Sequence, residues 1–540
     1  LAQVGEDLYV VTVPRVGGET PSVSVANPAN AVVPVRRLTE IGAQFPSWGH
    51  NGNTVQWSIG NAHFVYDLAA AQEAELEAEA LAEEESEAVD EVLDEEAEQE
   101  EEEPAYRPFE ERIIVEVERD IPTGTVALRG ATVITMRGDE IIPNADIVVE
   151  NNRIVAVGQR GQVDIPAGAD EVDVSGKTIG PGFVDTHAHM RPAWGLHKSQ
   201  AWMFLANLAY GVTTTRDPQT ATTDVLTYAD RVTAGMTLGP RIYSTGPGVF
   251  SGEGIRSQEH ASDVLKRYSE YYRTQTIKMY MAGNRQQRQW IITAAREQEL
   301  MPTTEGGLDF KYNLEMMIDG YPGQEHSLPI TPLYKDVVEF VAHTGMFYTP
   351  TMLVAYGGPW AENYFYAREN VYHDEKLQSF TPYEELAGKA RRRGAGWFME
   401  EEYNFPRLAK VVSDIVNAGG KAGVGSHGQL QGLGYHWELW AMQSGGLTEH
   451  QALRVATLFG AEAIGVQNDV GSIEPGKLAD LVIFEQSPLD GMRNTNTIQM
   501  VMKNGRLYDG DSLEEIWPRQ RELGPVYGLG DRPVRSGGGS

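Results

Sequence analysis

The sequence predicts an α/β fold: a (β/α)₈ TIM-like barrel over residues 181–465, a small flanking β-sandwich built from 108–180 and 466–515, and a short all-β segment ahead of both. Three observations predict it. Between 181 and 465, short apolar runs alternate with longer helical stretches, as in "TPLYKDVVEFVAHTG", and in "RLAKVVSDIVNAGG" followed by "KAGVGSH". That strand, helix, strand rhythm belongs to βα units and a parallel sheet. The span of about 285 residues fits a (β/α)₈ barrel with insertions. On either side the chain turns dense in strand signals, which suits two flanks that pair with each other.

Residues 1–67 carry the runs "DLYVVTV", "TVQWSIG" and "AHFVYDL", broken by turn clusters such as "GHNGN". The stretch "LTEIGAQFPSWGHNGNTVQWSIGNAHFVYDL" resembles one blade of a TolB-type β-propeller, with Pro-x-Trp before the turn. One blade cannot close a ring of about 4–8. The segment therefore reads as a partial β-propeller blade, the end of a propeller whose N-terminal remainder is missing from this chain.

Residues 68–107 hold an acidic insertion. From Ala71 to Glu103 there are 18 acidic residues and no Lys or Arg, more than half of the formal net charge of −33. Ala, Glu and Leu favour helix there, but like-charge repulsion and sparse apolar positions oppose packing, so a solvated helix or disordered linker is expected. The first sandwich part, 108–180, shows "RIIVEVE", "TVALRGATVITM" and "ADIVVENNRIVAVG"; the second, 466–515, shows "GSIEPGKLADLVIFE" and "IQMVMKNGRLY". Residues 516–540 form a tail whose "RSGGGS" reads as an expression-linker scar. With no initiator Met and no signal peptide, the chain reads as a processed piece of something larger.

At 540 residues the chain needs several cores. No apolar run reaches the roughly 18 residues of a membrane span. The strongly negative charge argues against nucleic acid and anionic membranes as partners. There is no cysteine, which excludes disulfides, thiolate zinc sites and Cys nucleophiles, and leaves His, carboxylate or modified Lys to hold any transition metal.

The chemistry starts at "FVDTHAH". In a strand, residues i and i+2 share a face, so His187 and His189 project together with Asp185 one step behind. Two such imidazoles can hold one divalent cation. "GATVITM" and "GDEIIPNADIVVENNRIVAVG" leading into "IGPGFVDTHAH", then "YGVTTTRD", "GPRIYSTG" and "GSIEPGKLADLVIF", in this order, resemble the amidohydrolase superfamily over roughly 125–510. The branch most resembled is imidazolonepropionase-related, in the subset fused behind a TolB-type propeller.

The resemblance implies metal ligands at the C-terminal strand ends of the barrel. It places them at His187 and His189, at Lys278 in "TIKMYMAG", and at His326 in "DGYPGQEHSLP". In the family that lysine can become N6-carboxylysine and bridge two metals. Two positions depart from the pattern. Glu305 in "MPTTEGGLDF" stands where a histidine is usual, and His427 in "AGVGSHGQLQGLGYHWELW" stands where an aspartate ligates and takes a proton. Glu305 and His427 are thus both metal ligands and the candidate catalytic acid–base groups, with His436 a candidate substrate-binding oxyanion donor and Glu438 an auxiliary polar group. Asp217 and Asp319 read as turn residues, and His197, His260 and His343 as ordinary histidines.

The implied protein is a Zn²⁺-dependent amidohydrolase with one or two ions per chain, cleaving amide, cyclic amide or small peptide bonds. The alternatives are an esterase, lactonase or deaminase on the same barrel, or an inactive propeller-linked scaffold. The family relation also implies a small-molecule or short-peptide substrate, homo-oligomers in many members, and, together with the lack of cysteine, a periplasmic or secreted setting.

Overall fold

A computed structural model describes residues 1–13, 17, 23–25, 31–88, 105–192, 195, 197–391 and 398–530. They fall into two compact units, residues 1–116 with 252–273, and residues 117–251 with 274–540.

The first unit has two antiparallel sheets. Ala2–Val4, Asp7–Val11 and Val35–Arg37 form one; Gln44–Trp48, Thr54–Ile59, Ala62–Asp67 and Phe109–Arg112 form the other, in that order. Period-2 alternation drives the second sheet. Val55, Trp57 and Ile59 are buried on one strand, Ala62, Phe64 and Tyr66 on the next, and Trp57 stacks on Phe64 at 5.5 Å between centroids. The helix Leu68–Ala88 follows; its residues 68–82 are mostly exposed, as their acidic composition requires. The remainder of the acidic run, 89–103, lies outside the described residues, as does "RSGGGS".

Three boundaries differ from the sequence reading. Phe109–Arg112 is the fourth strand of the N-terminal sheet, pairing with Ala62–Asp67, instead of opening the flanking sandwich. The apolar stretch after it, Ile113 to Val117, is exposed and forms no strand; Ile113 bonds Asn61 at the end of that sheet, where the pairing stops. Residues 252–273, read as part of the barrel, pack in the first unit. Arg267 donates to the carbonyl of Ile41 (2.8 Å) and pairs with Glu253 (2.9 Å), and Tyr272 accepts from Gln44 (3.0 Å). The aromatic run "RYSEYY" needs apolar cover, and the N-terminal sheets supply it.

In the second unit the two β-rich flanks meet in a single hydrogen-bonded sheet of nine strands. Its seam is the antiparallel pair of Thr178–Pro181 with Leu481–Phe484. Val126, Leu128, Ile147, Val149, Ile483, Met502 and Trp517 are buried in its core. The sheet runs to Glu515–Trp517, just past the boundary expected at 515.

Nine further strands are all parallel. Phe183–Asp185, Val212–Asp217 and Arg241–Ser244 form one sheet; Val249–Phe250, Thr276–Tyr280, Met301–Glu305, Gly323–Glu325, Phe347–Thr349 and Lys421–Ala422 form the other. Helices separate most of them, each burying one stripe: in Phe405–Asn417, Leu408, Val411, Val412 and Ile415 recur at helical spacing and are buried. Just past the first and last strands, the amide of Thr186 donates to the carbonyl of Val424 (2.8 Å) and that of His427 to His187 (2.7 Å). Most of the candidate site side chains sit at or just past the C-terminal ends of these strands, with Lys278 inside Thr276–Tyr280.

Candidate metal centre

The strand Phe183–Asp185 stops before "THAH", so His187 and His189 lie just beyond it rather than within it. They converge nonetheless. Asp185 Oδ1 accepts from the amides of His187 and Ser426 (both 3.1 Å), pinning the first strand end to the last. Asp185 is buried, which pushes its carboxyl up to about 6 even against these amides.

Each imidazole is aimed by a partner on its other nitrogen. His187 Nδ1 meets Glu325 Oε2 at 2.6 Å, and Glu325 Oε1 takes the Arg216 guanidinium and the Thr303 hydroxyl, both at 2.5 Å. A carboxylate fixed this way holds the proton on Nδ1 and leaves Nε2 free to ligate. His189 Nδ1 faces Asp217 Oδ1 at 3.4 Å, and Asp217 also accepts from the Met190 amide (3.0 Å). The two Nε2 atoms then stand 3.3 Å apart. Two nitrogens each about 2.0–2.1 Å from one tetrahedral ion lie about 3.3 Å apart, so the spacing fits a shared cation.

His427 completes the group. Ring nitrogens of His187, His189 and His427 all lie within 4.8 Å of one another. Its Nδ1 is buried and has no hydrogen-bond partner among the described residues, as expected of a ligand atom kept for an ion. The glycines around it make room: a Cβ on Gly425 would sit 2.7 Å from the Cβ of His187, and one on Gly428 2.3 Å from the carbonyl oxygen of His189. His427 itself adopts φ 58°, and His326 φ 65°, left-handed conformations costly for non-glycine residues and concentrated at working sites.

A second cluster adjoins the first. His326 lies 5.0 Å from His187 and 5.2 Å from His427 between ring centroids. Its Nδ1 is held by the Thr351 hydroxyl (2.6 Å), and its Nε2 lies 3.5 Å from Glu305 Oε2. Lys278, buried, places Nζ 2.7 Å from the same oxygen. Burial is the main reason these histidines stay neutral. It holds His187 and His427 well below the ordinary imidazole value, and it brings His326 to about 3, with the Lys278 ammonium adding to each shift. Neutral imidazoles are ready to bind metal at pH 7.

Six of the expected residues are therefore gathered: His187, His189, His427, His326, Glu305 and Lys278. His436 is not. It is wholly buried on the helix Leu433–Gln443, with Nδ1 on Thr495 (3.0 Å) and Nε2 on the carbonyl of Tyr210 (3.0 Å). Both ring nitrogens are spent, so it offers no donor to an oxyanion; burial lowers it to about 3. Glu438, two residues on, accepts the amides of Met352 (2.8 Å) and Leu353 (3.0 Å) and is structural. Asp217, read as a turn residue, is a buried strand residue that orients His189. Glu325, Arg216 and Thr351 were missed, since no spacing rule marks a residue whose partner lies many positions away. The nearest signal was Glu325 standing beside His326 in "QEHS". Asp319 pairs with Arg285 (3.0 Å) and Arg288 (2.6 Å), and His197 with Asp224 (2.8 Å).

A cavity of about 410 Å³ opens beside His189 and His427, with Arg191, Gln219, Thr220 and Val225 on its walls. The profile of the amidohydrolase family matches residues 178–508, which covers this centre, the parallel strands and most of the second flank. The chain belongs to the amidohydrolase family. Among its relatives in the family, a 5-methylthioadenosine/S-adenosylhomocysteine deaminase from Teredinibacter turnerae is 37% identical over 95 residues, 18% of this chain and 21% of that protein. An imidazolonepropionase from Shouchella clausii is 35% identical over 92 residues, 16% of this chain and 21% of that protein. The chain thus aligns with about a fifth of the length of these curated relatives. A crystal structure of a Xaa-Pro dipeptidase with bound methionine shares the fold over 72% of this chain and 100% of that one, at TM-score 0.55 and 18% identity. Amidohydrolase homologues are hydrolases of C–N bonds, and the family is generally metal-dependent. Among the described residues, no helix is long and apolar enough to cross a membrane.

Proposed function

We propose that this amidohydrolase-family chain is a metal-dependent hydrolase of amide, cyclic amide or short peptide bonds, in the imidazolonepropionase-related branch. The reading includes closure of the parallel strands into one (β/α)₈ barrel, and a blade-like role for the N-terminal four-stranded sheet. One observation carries it: three imidazoles with their ring nitrogens within 4.8 Å, two of them aimed by carboxylates and 3.3 Å apart.

His187, His189 and His427 would hold the first ion, for which Zn²⁺ suits an all-nitrogen set. When bound, such an ion polarises a carbonyl oxygen and acidifies water. Glu325 and Asp217 keep the imidazoles in the ligating tautomer. Glu305 is the carboxylate left to carry a proton to the leaving nitrogen, its Oε2 steadied by Lys278 and His326. Arg191 puts a cation on the cavity wall, where it favours substrates with an anionic group near the scissile bond. Lys278 sets the ion count. As an ammonium paired with Glu305 it leaves one ion; as its carbamate it turns from repelling a cation to ligating one, and with Glu305 and His326 would hold a second.

The test is turnover of a panel of N-acyl amino acids, dipeptides and lactams against matched esters and lactones, before and after chelation. C–N cleavage that chelation removes and Zn²⁺ restores supports the proposal. Cleavage of esters alone, or C–N cleavage that survives complete metal removal, contradicts it.

A further inference from the structure

Away from the imidazole cluster, a cavity of about 230 Å³ opens between the hairpin Ile498–Lys503 and Arg506–Asp509 and the turn at Val232–Leu238. Val501 pairs with Tyr508 and Lys503 with Arg506 across that hairpin, so Lys503, Arg506 and Tyr508 share one face, and all three line the cavity. Lys503 is 8% exposed and Tyr508 6%. Neither the ammonium nor the phenol has a hydrogen-bond partner among the described residues. That is costly for a buried cation.

The neighbouring charges explain why Lys503 is left over. Asp480 is taken by Arg241 (3.3 Å), and Asp120 by Arg506 (2.6 Å). Glu515 is shared between Arg506 (2.9 Å) and Arg519 (2.6 Å). Asp480, Asp120 and Glu515 are thus engaged by arginines; Glu522 and Arg521 also line the cavity, and Lys503 is left without an ion pair among the described residues in a chain of net charge −33. Val232, Leu238 and Leu513 add apolar side chains to an otherwise largely polar lining. Burial first, and Arg241 next, bring the Lys503 ammonium down to about 8, with Asp480 and Asp120 opposing them in part.

We propose that this cavity is a binding site for a small organic carboxylate, its anionic end on Lys503 and Tyr508 and its apolar end on Val232 and Leu513. The ligand supplies the missing counter-ion and covers those apolar side chains. The cavity's volume limits it to a molecule about the size of benzoate. This site does not depend on the metal centre.

The test is calorimetric titration of the full chain with benzoate, and with benzamide as the uncharged control of equal shape. At pH 7 benzoate is expected to bind at least tenfold more tightly than benzamide. Lys503→Met should weaken benzoate at least tenfold and Tyr508→Phe several-fold, with metal content unchanged in both; that separates this cavity from carboxylate binding at the metal. Raising the pH from 7 to 9.5 should weaken benzoate in the wild type as Lys503 loses its proton, and leave Lys503→Met unaffected. Equal benzoate affinity in Lys503→Met and wild type, equal affinity for benzamide, or no binding to the folded wild type would overturn the proposal. Should Lys503→Met not fold, Tyr508→Phe and the wild-type pH series decide in the same way.

Discussion

At the scale of single residues, the site separates atoms that face an ion from atoms that aim them. His187→Ala removes a proposed ligand, and turnover should fall by at least about 10³-fold with loss of bound metal, read by steady-state kinetics and elemental analysis. Glu325→Gln keeps the shape but loses the charge that fixes His187 Nδ1–H. Its metal affinity should fall about 10–100-fold, measured by competition with a chelator, and an unchanged affinity would deny Glu325 its aiming role. His436→Ala should behave oppositely, costing about 2–4 kcal/mol in denaturant unfolding while metal content stays intact, because it empties a buried site that satisfies Thr495 and Tyr210. The clustered residues were legible because metal chemistry restricts proposed ligands to a few residue types in recognisable motifs. The aiming residues were not: Glu325 lies 138 positions from His187 in sequence, and only folding joins them. His436 misled because nearness in sequence to His427 is not nearness of its ring to the cluster.

At the scale of elements, the helix Leu433–Gln443 supports the centre indirectly. Glu438 on that helix grips the amides of Met352 and Leu353, and the residue before them, Thr351, holds His326. Thr351 has φ 46°, rare for a β-branched residue, so the turn depends on that grip. Burial raises the Glu438 carboxyl to about 8, from an ordinary 4.5. The folded state therefore favours its neutral form: that stabilisation is full below pH 4.5 and is lost as pH rises through 8. Unfolding midpoints at pH 5 and 8.5 should differ less in Glu438→Gln than in the wild type; an equal difference would remove Glu438 from the account. Strand and helix alternation was readable from apolar periodicity, but element ends were not. The strand before "THAH" stops at Asp185, and Phe109–Arg112 joins the N-terminal sheet, since pairing partners rather than local pattern decide where a strand lies.

At the scale of the whole molecule, the two units are interleaved in sequence. Residues 252–273 leave the second unit and bury Ala261, Val264, Leu265 and Tyr268 within the first. Deleting residues 1–116 strips that cover, so the truncated chain should aggregate, and replacing 252–273 with a short loop should restore its solubility; a monodisperse, fully active 117–530 would show the cover to be dispensable. Alternation of strands and helices marked the α/β region, but nothing local in 252–273 announced that it belongs elsewhere. The central claim is that the imidazoles clustered at the strand ends grip a divalent cation on which hydrolysis depends. Anomalous scattering at the zinc edge from crystals of active protein tests it most directly. The account predicts a peak within about 2.0–2.1 Å of ring nitrogens of His187, His189 and His427. Crystals of protein that hydrolyses amides, with no anomalous peak among those three rings at the edge of any divalent transition metal, would contradict it.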